Sequence, residues 1–204
     1  MEKSQAEKIK EKFPFGYKGI FTIKPVSFYI KDVFFIIGFI LSISLSLVLW
    51  FFPEEQLLYI DILVNLIVTI IPAMLGLSLA GFAIVISQIN EKALVKLTDV
   101  NIDDNKNYSM YQTLCAVFSV TVLIQIIPLV IAGTISLIKP LTLKLSVSYI
   151  AASLGNCTAI FLSCVFFLLS LFSIIDLIRN IFAAGELVNY VFTKNKLEES
   201  QKAP

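Results

Sequence analysis

Two segments have the outline of a chemical site. Gly76-Leu77-Ser78-Leu79-Ala80 sets a serine among small residues, as in a nucleophile elbow. Asp99, Asn101, Asp103 and Asp104 space oxygen ligands as in a calcium loop. Neither meets its own requirements. An elbow serine depends on a sharp strand-to-helix turn and a histidine base, and the chain contains no histidine. The same absence removes Ser–His relays and the common histidine-based zinc motifs. A calcium loop turns on a glycine at its sixth position and closes with a glutamate at its twelfth; here those positions hold Asp104 and Met110. The acidic run therefore reads as a solvated turn. Cys115, Cys157 and Cys164 all fall in apolar stretches and none lies in an outside loop, so they read as small residues at helix contacts rather than a disulfide framework. The residues thus predict no catalytic site, no metal, no cofactor and no enzyme.

The remaining chemical groups are polar residues in apolar surroundings. Asn65, Gln125 and Asn156 lie deep in such stretches, and Gln88 lies near the end of one. An uncompensated polar group is expensive in lipid, so each is expected to face another helix or water, either as an interhelical hydrogen bond or along a conduction path. Pro72 and Pro128 interrupt apolar helices, as fixed kinks or as hinges of a gating motion. Asp61 is expected near an outer interface, and Asp176 and Arg179, three apart, can pair near an inner one. No charge deep within a span marks a proton or ion relay.

The elements that must hold these groups are set by four uncharged runs: Val33–Phe52, Ile62–Asn90, Tyr108–Ile138 and Leu145–Ile175. About 20 apolar helical residues cross a bilayer core of roughly 30 Å, so each run is long enough. Strands of a membrane barrel would alternate apolar and polar residues over about ten positions; these runs are longer and apolar on every side. With 57% hydrophobic residues, only 15% charged and a mean hydropathy of +0.86, a soluble domain is excluded. The predicted fold is all-α, a four-helix transmembrane bundle with spans at about 33–52, 61–89, 110–138 and 145–176. Residues 1–32 form a cytoplasmic basic and aromatic arm, 33–178 the membrane domain, and 179–204 a cytoplasmic helix and tail. The last three spans run to about thirty residues, or about 45 Å of helix, so they tilt or project into the cytoplasm. Leu177, Ile178, Ile181, Phe182 and Leu187, on the projecting part of the fourth, call for burial against another helix or subunit.

Orientation follows from the basic residues. Seven lysines precede the first span, and Lys92, Lys96 and Lys106 lie between the second and third. Arg179, Lys194, Lys196 and Lys202 follow the start of the tail. The other two connections share only Lys139 and Lys144, and the first of them carries Glu54 and Glu55. Basic loops stay inside, so both termini are expected in the cytoplasm. The N-terminal stretch is charged and aromatic rather than a short basic start followed by an apolar segment, so it reads as retained rather than as a cleaved signal. Its Phe13, Phe15, Tyr17, Phe21 and Phe28 among lysines fit a membrane-surface anchor, or an arm that docks a partner.

Small residues mark the packing faces. Ala73, Gly76, Ala80, Ala83 and Ser87 recur at intervals of three and four in the second span, and Gly38, Ser42 and Ser46 in the first. In lipid such faces let backbones approach and gain dispersion contacts, with a helix of the same subunit or of another. The stretch Ile71-Pro72-Ala73-Met74-Leu75-Gly76-Leu77-Ser78-Leu79-Ala80-Gly81-Phe82-Ala83-Ile84 resembles runs in small multi-span proteins of bacterial anti-phage operons. With its length and four spans, the chain most resembles the membrane subunit of Kiwa-type defence systems. The resemblance implies a homotetramer of the inner membrane that senses envelope disturbance and holds a cytosolic, DNA-engaging partner subunit, without binding nucleic acid itself. It brings no catalytic residues. The expected function is a non-enzymatic sensor and scaffold, with Lys92, Lys96, Asp176, Arg179 and Glu186 on the docking surface. The alternatives are an oligomeric pore that depolarises the membrane, a membrane-embedded enzyme, and a plain packing protein.

Overall fold

A computed structural model describes residues 20, 23, 33–89, 109–142 and 148–202. The arm before Val33 lies almost wholly outside these residues, as do the loop carrying Lys92 and Lys96 and the acidic run from Asp99. Among the described residues the long elements are four helices and there is no strand: α1 Val33–Trp50, α2 Gln56–Gln88, α3 Met110–Thr142 and α4 Tyr149–Lys202. All four are long and apolar enough to cross a membrane. The protein is an all-α, multi-pass membrane protein.

Helices form because lipid offers the backbone no hydrogen-bond partner, and a helix satisfies every amide within one segment. The ends are chemically marked. α1 stops at the Phe51-Phe52-Pro53 turn, where Phe51 and Phe52 donate their amides back to Val48 and Leu49. α2 begins at Gln56, five residues before the predicted span. α3 begins in a reciprocal capping box: the Gln112 amide donates to Ser109 Oγ at 3.1 Å, while the Ser109 amide donates to Gln112 Oε1 at 3.0 Å. Ser148 caps α4, its oxygen 3.4 Å from the Ala151 amide. The α4 helix continues to Lys202, 54 residues in all.

The chain divides into two compact units. One comprises Ser27–Leu77 and Thr121–Ile175, and here all four helices pack. Its core has two clusters, Ile67, Ile71, Met74, Ala132 and Phe167 in one and Leu49, Ile60, Leu63 and Ile160 in the other. α1 lies against α4 through its small face. A Cβ at Gly38 would stand 3.3 Å from Leu168 Cβ, and the Phe34 and Phe172 rings stack with centroids 5.1 Å apart. The other unit comprises Met1–Val26, Ser78–Val120 and Asp176–Pro204. Its buried residues include Leu114, Val117, Leu177 and Ala184, and Phe82 stacks on Phe118 at 4.0 Å.

Candidate functional site

The predicted small-residue positions separate into two groups. On α1, Gly38 and Ser42 are buried and Ser46 half-buried. Ser42 Oγ donates to the Gly38 carbonyl at 2.7 Å, and Ser46 Oγ reaches across to the Cys157 carbonyl of α4 at 3.0 Å. On α2, Ala73 and Gly76 are exposed in the first unit, and Ala80, Ala83 and Ser87 are exposed in the second. Nothing lies within 4 Å of a Cβ built on Gly76. The α1 face is thus spent on packing within the chain, and the α2 positions are left open.

The intramembrane polar residues divide in the same way. Gln125 is fully buried, Asn156 is half-buried, and Asn65 is exposed without a hydrogen-bond partner among the described residues. The Gln88 side chain lies outside the description. Pro72 is exposed and Pro128 buried. Pro128 has no amide to give the carbonyl four residues earlier, that of Ile124. Ser170 Oγ of α4 sits 3.1 Å from that oxygen and 2.8 Å from the Phe166 carbonyl, so a hydroxyl from the neighbouring helix covers the gap the proline opens. Close by in sequence, Thr121 Oγ1 is buried without a hydrogen-bond partner, and so is Ser163 Oγ. A buried orphan of this kind costs about 1–3 kcal/mol.

Sequence reasoning does not single out Gln56. It is the first residue of α2 and almost fully buried, and its Nε2 lies 3.0 Å from the Leu49 carbonyl, 2.9 Å from Ser153 Oγ and 3.4 Å from Cys157 Sγ. One amide therefore joins the end of α1 to α4. The last carbonyls of α1 must find donors outside their own helix, and that need was the available signal. Asp61 pairs with Lys139 of α3 at 2.5 and 2.6 Å, with both side chains partly exposed. Lys139 also borders a cavity of about 390 Å³, with apolar walls from α2, α3 and α4 and Asn156 in its lining.

In the second unit Asp176 and Arg179 come within 3.7 Å, the arginine largely exposed, and Asn180 Nδ2 donates to the Asp176 carbonyl at 2.7 Å. Glu186 is exposed. The apolar residues of this part of α4 take two sides. Leu177 is buried and Ile181 lies against Gly81 of α2, while Ile178 and Phe182 are 56% and 68% exposed. Ser78, the serine of the elbow-like run, is a buried residue within a continuous helix. Among the described residues no three of His, Cys, Asp or Glu gather where they could hold a metal, and the three cysteines are free. Comparison of the chain with protein-family models, with curated proteins and with solved structures found no match.

Proposed function

We propose that the protein is a non-enzymatic sensor and scaffold of the bacterial inner membrane, both termini cytoplasmic, that assembles as a homo-oligomer and holds a cytosolic partner on α4. The observation that carries this reading is the length of that helix. Its 54 residues make about 80 Å at 1.5 Å per residue, against a hydrocarbon core of roughly 30 Å. Much of it must leave the bilayer, and it does so bearing exposed Ile178 and Phe182 beside Arg179 and Glu186. Two exposed apolar side chains rimmed by charge suit a protein contact in water. The lysines of the N-terminal arm, the 91–107 loop and the tail fall on the same side by the positive-inside rule.

Self-association is assigned to α2. Exposed Asn65 and Thr69 share a face with Ala73 and Gly76 by their spacing of three and four. An unpartnered amide in lipid favours a partner helix, and small neighbours let one approach. Disturbance of bilayer thickness or tension would act by biasing how such helices pack. The resemblance to Kiwa membrane subunits supports the defence setting and four subunits.

The test is affinity purification of the full-length chain from its own host in mild detergent. The same preparation with Ile178→Asp and Phe182→Asp serves as the comparison. A soluble protein should be retained by the unmodified chain and lost from the double variant, with oligomer size unchanged. Identical retained proteins in both preparations would contradict the proposal. The second reading, a pore, is favoured by the unpartnered Thr121 and Ser163 hydroxyls on α3 and α4, which water could satisfy. It predicts conductance in planar bilayers that changes with Thr121→Val; a silent bilayer at high protein loading speaks against it.

A further inference from the structure

The cavity beside Lys139 has the composition of an amphiphile site. Its walls are apolar or small, with Ile60 from α2, Ile135 and Ile138 from α3, and Ala152, Gly155 and Ala159 from α4. A Cβ built on Gly155 would meet nothing within 4 Å, so the glycine leaves room rather than serving a close helix contact. At about 390 Å³ the space is within the range of small-molecule sites. It suits an alkyl chain better than a whole lipid.

Its polar groups are few and placed differently. Lys139 borders the space, and its ammonium is held by the Asp61 carboxylate, so a positive and a negative group stand side by side. Their side chains are 29% and 50% exposed, so both still present surface outward. Asn156 also lines the cavity and has no hydrogen-bond partner among the described residues, although it is half-buried within a span. An amide left so in lipid is costly, and a ligand carbonyl would relieve it.

The depth fits as well. Asp61 and Lys139 lie at the end of this unit where α1 closes with exposed Trp50, Phe51 and Phe52. Aromatic clusters of this kind sit at headgroup level.

We propose that this groove binds one phospholipid with a primary-amine headgroup, of the phosphoethanolamine class. The phosphate lies against Lys139 and the ammonium against Asp61, so the dipolar headgroup runs opposite to the dipole of the ion pair. The Asn156 amide donates to an ester carbonyl, and one acyl chain fills the space over Gly155. A glycerol headgroup offers Asp61 only neutral hydroxyls, which leave its charge unbalanced. A quaternary amine has no N–H to give that carboxylate. The selectivity therefore resides in Asp61 and the affinity in Lys139 and the groove.

Native mass spectrometry of the purified full-length chain in detergent tests this, with dioleoyl phosphatidylethanolamine, phosphatidylcholine and phosphatidylglycerol added at equal concentration. A partly exposed charged contact is worth up to about 1 kcal/mol, so the ethanolamine lipid is expected to be retained about fivefold over the other two. Asp61→Asn should end the preference for the ethanolamine lipid over phosphatidylcholine, and Gly155→Leu should abolish retention of all three lipids. Gly133→Leu, at an open glycine of α3 that lies outside the groove, should leave retention unchanged. Equal retention of the three lipids by the unmodified chain would overturn the headgroup assignment, and preference for the glycerol lipid would do the same. Undiminished binding by a folded Gly155→Leu variant would overturn the location. The headgroup comparison needs no variant and stands if one fails to fold.

Discussion

Pro128 and Ser170 show how a single residue can disturb a membrane helix without loosening it. The proline withholds an amide from the Ile124 carbonyl, and the serine of the next helix stands 3.1 Å from the same oxygen. Each substitution alone should have a different consequence. Ser170→Ala leaves a buried carbonyl uncovered and is expected to cost about 1–3 kcal/mol. Pro128→Ala restores an intrahelical donor. In the presence of Pro128→Ala the cost of Ser170→Ala should therefore shrink, giving a coupling of about 0.5–2 kcal/mol in a double-mutant cycle read by SDS unfolding. Strict additivity would mean that the serine does not serve the proline. Thr121 makes the complementary case. Its hydroxyl is buried without a partner, so Thr121→Val removes a polar atom that gains nothing and should leave stability unchanged or raise it. Gln56→Leu, which takes a donor from Leu49, Ser153 and Cys157 together, should lower it by about 1–3 kcal/mol in the same assay.

Helix by helix, the glycines report which faces are filled. Gly38 of α1 faces Leu168 closely enough that a Cβ would stand 3.3 Å from the leucine Cβ, an atom fixed to its backbone. Gly38→Leu forces the two helices apart and is expected to cost about 1–3 kcal/mol, seen as a lower thermal midpoint in detergent. Gly76 of α2 has open space around it. Gly76→Leu should leave the subunit's thermal midpoint within experimental error while shifting the proposed oligomer to smaller species in cross-linking. An unchanged oligomer would place the contact on another helix. The sequence could show both small-residue faces but not this difference. Spacing reveals that a helix has a face of small residues, whereas the identity of its neighbour depends on how all four helices are arranged. The spans themselves were legible because uncharged length is a local property. The N-terminus of α2 was less visible. Gln56 follows two glutamates and looks like loop, yet its amide is drawn into the protein by the Leu49 carbonyl of α1 and by Ser153 and Cys157 of α4. The groove was hidden for the same reason, since Lys139 and Asn156 come together only through packing.

For the whole molecule the proposed topology is four apolar helices across one bilayer, with the lysine-bearing flanks inside the cell. The proposed partner surface on α4 and the headgroup level assigned to Trp50 both depend on it. The natural cysteines are confined to the helices, so replacing them with alanine gives a background for single engineered thiols. Glu55→Cys lies in the α1–α2 turn and is exposed, and Thr193→Cys lies near the far end of α4 and is also exposed. Intact spheroplasts are treated with a membrane-impermeant maleimide before and after permeabilisation. Position 55 should label at once, and position 193 only after the membrane is opened. Labelling of position 193 from outside, with position 55 protected, would contradict this topology.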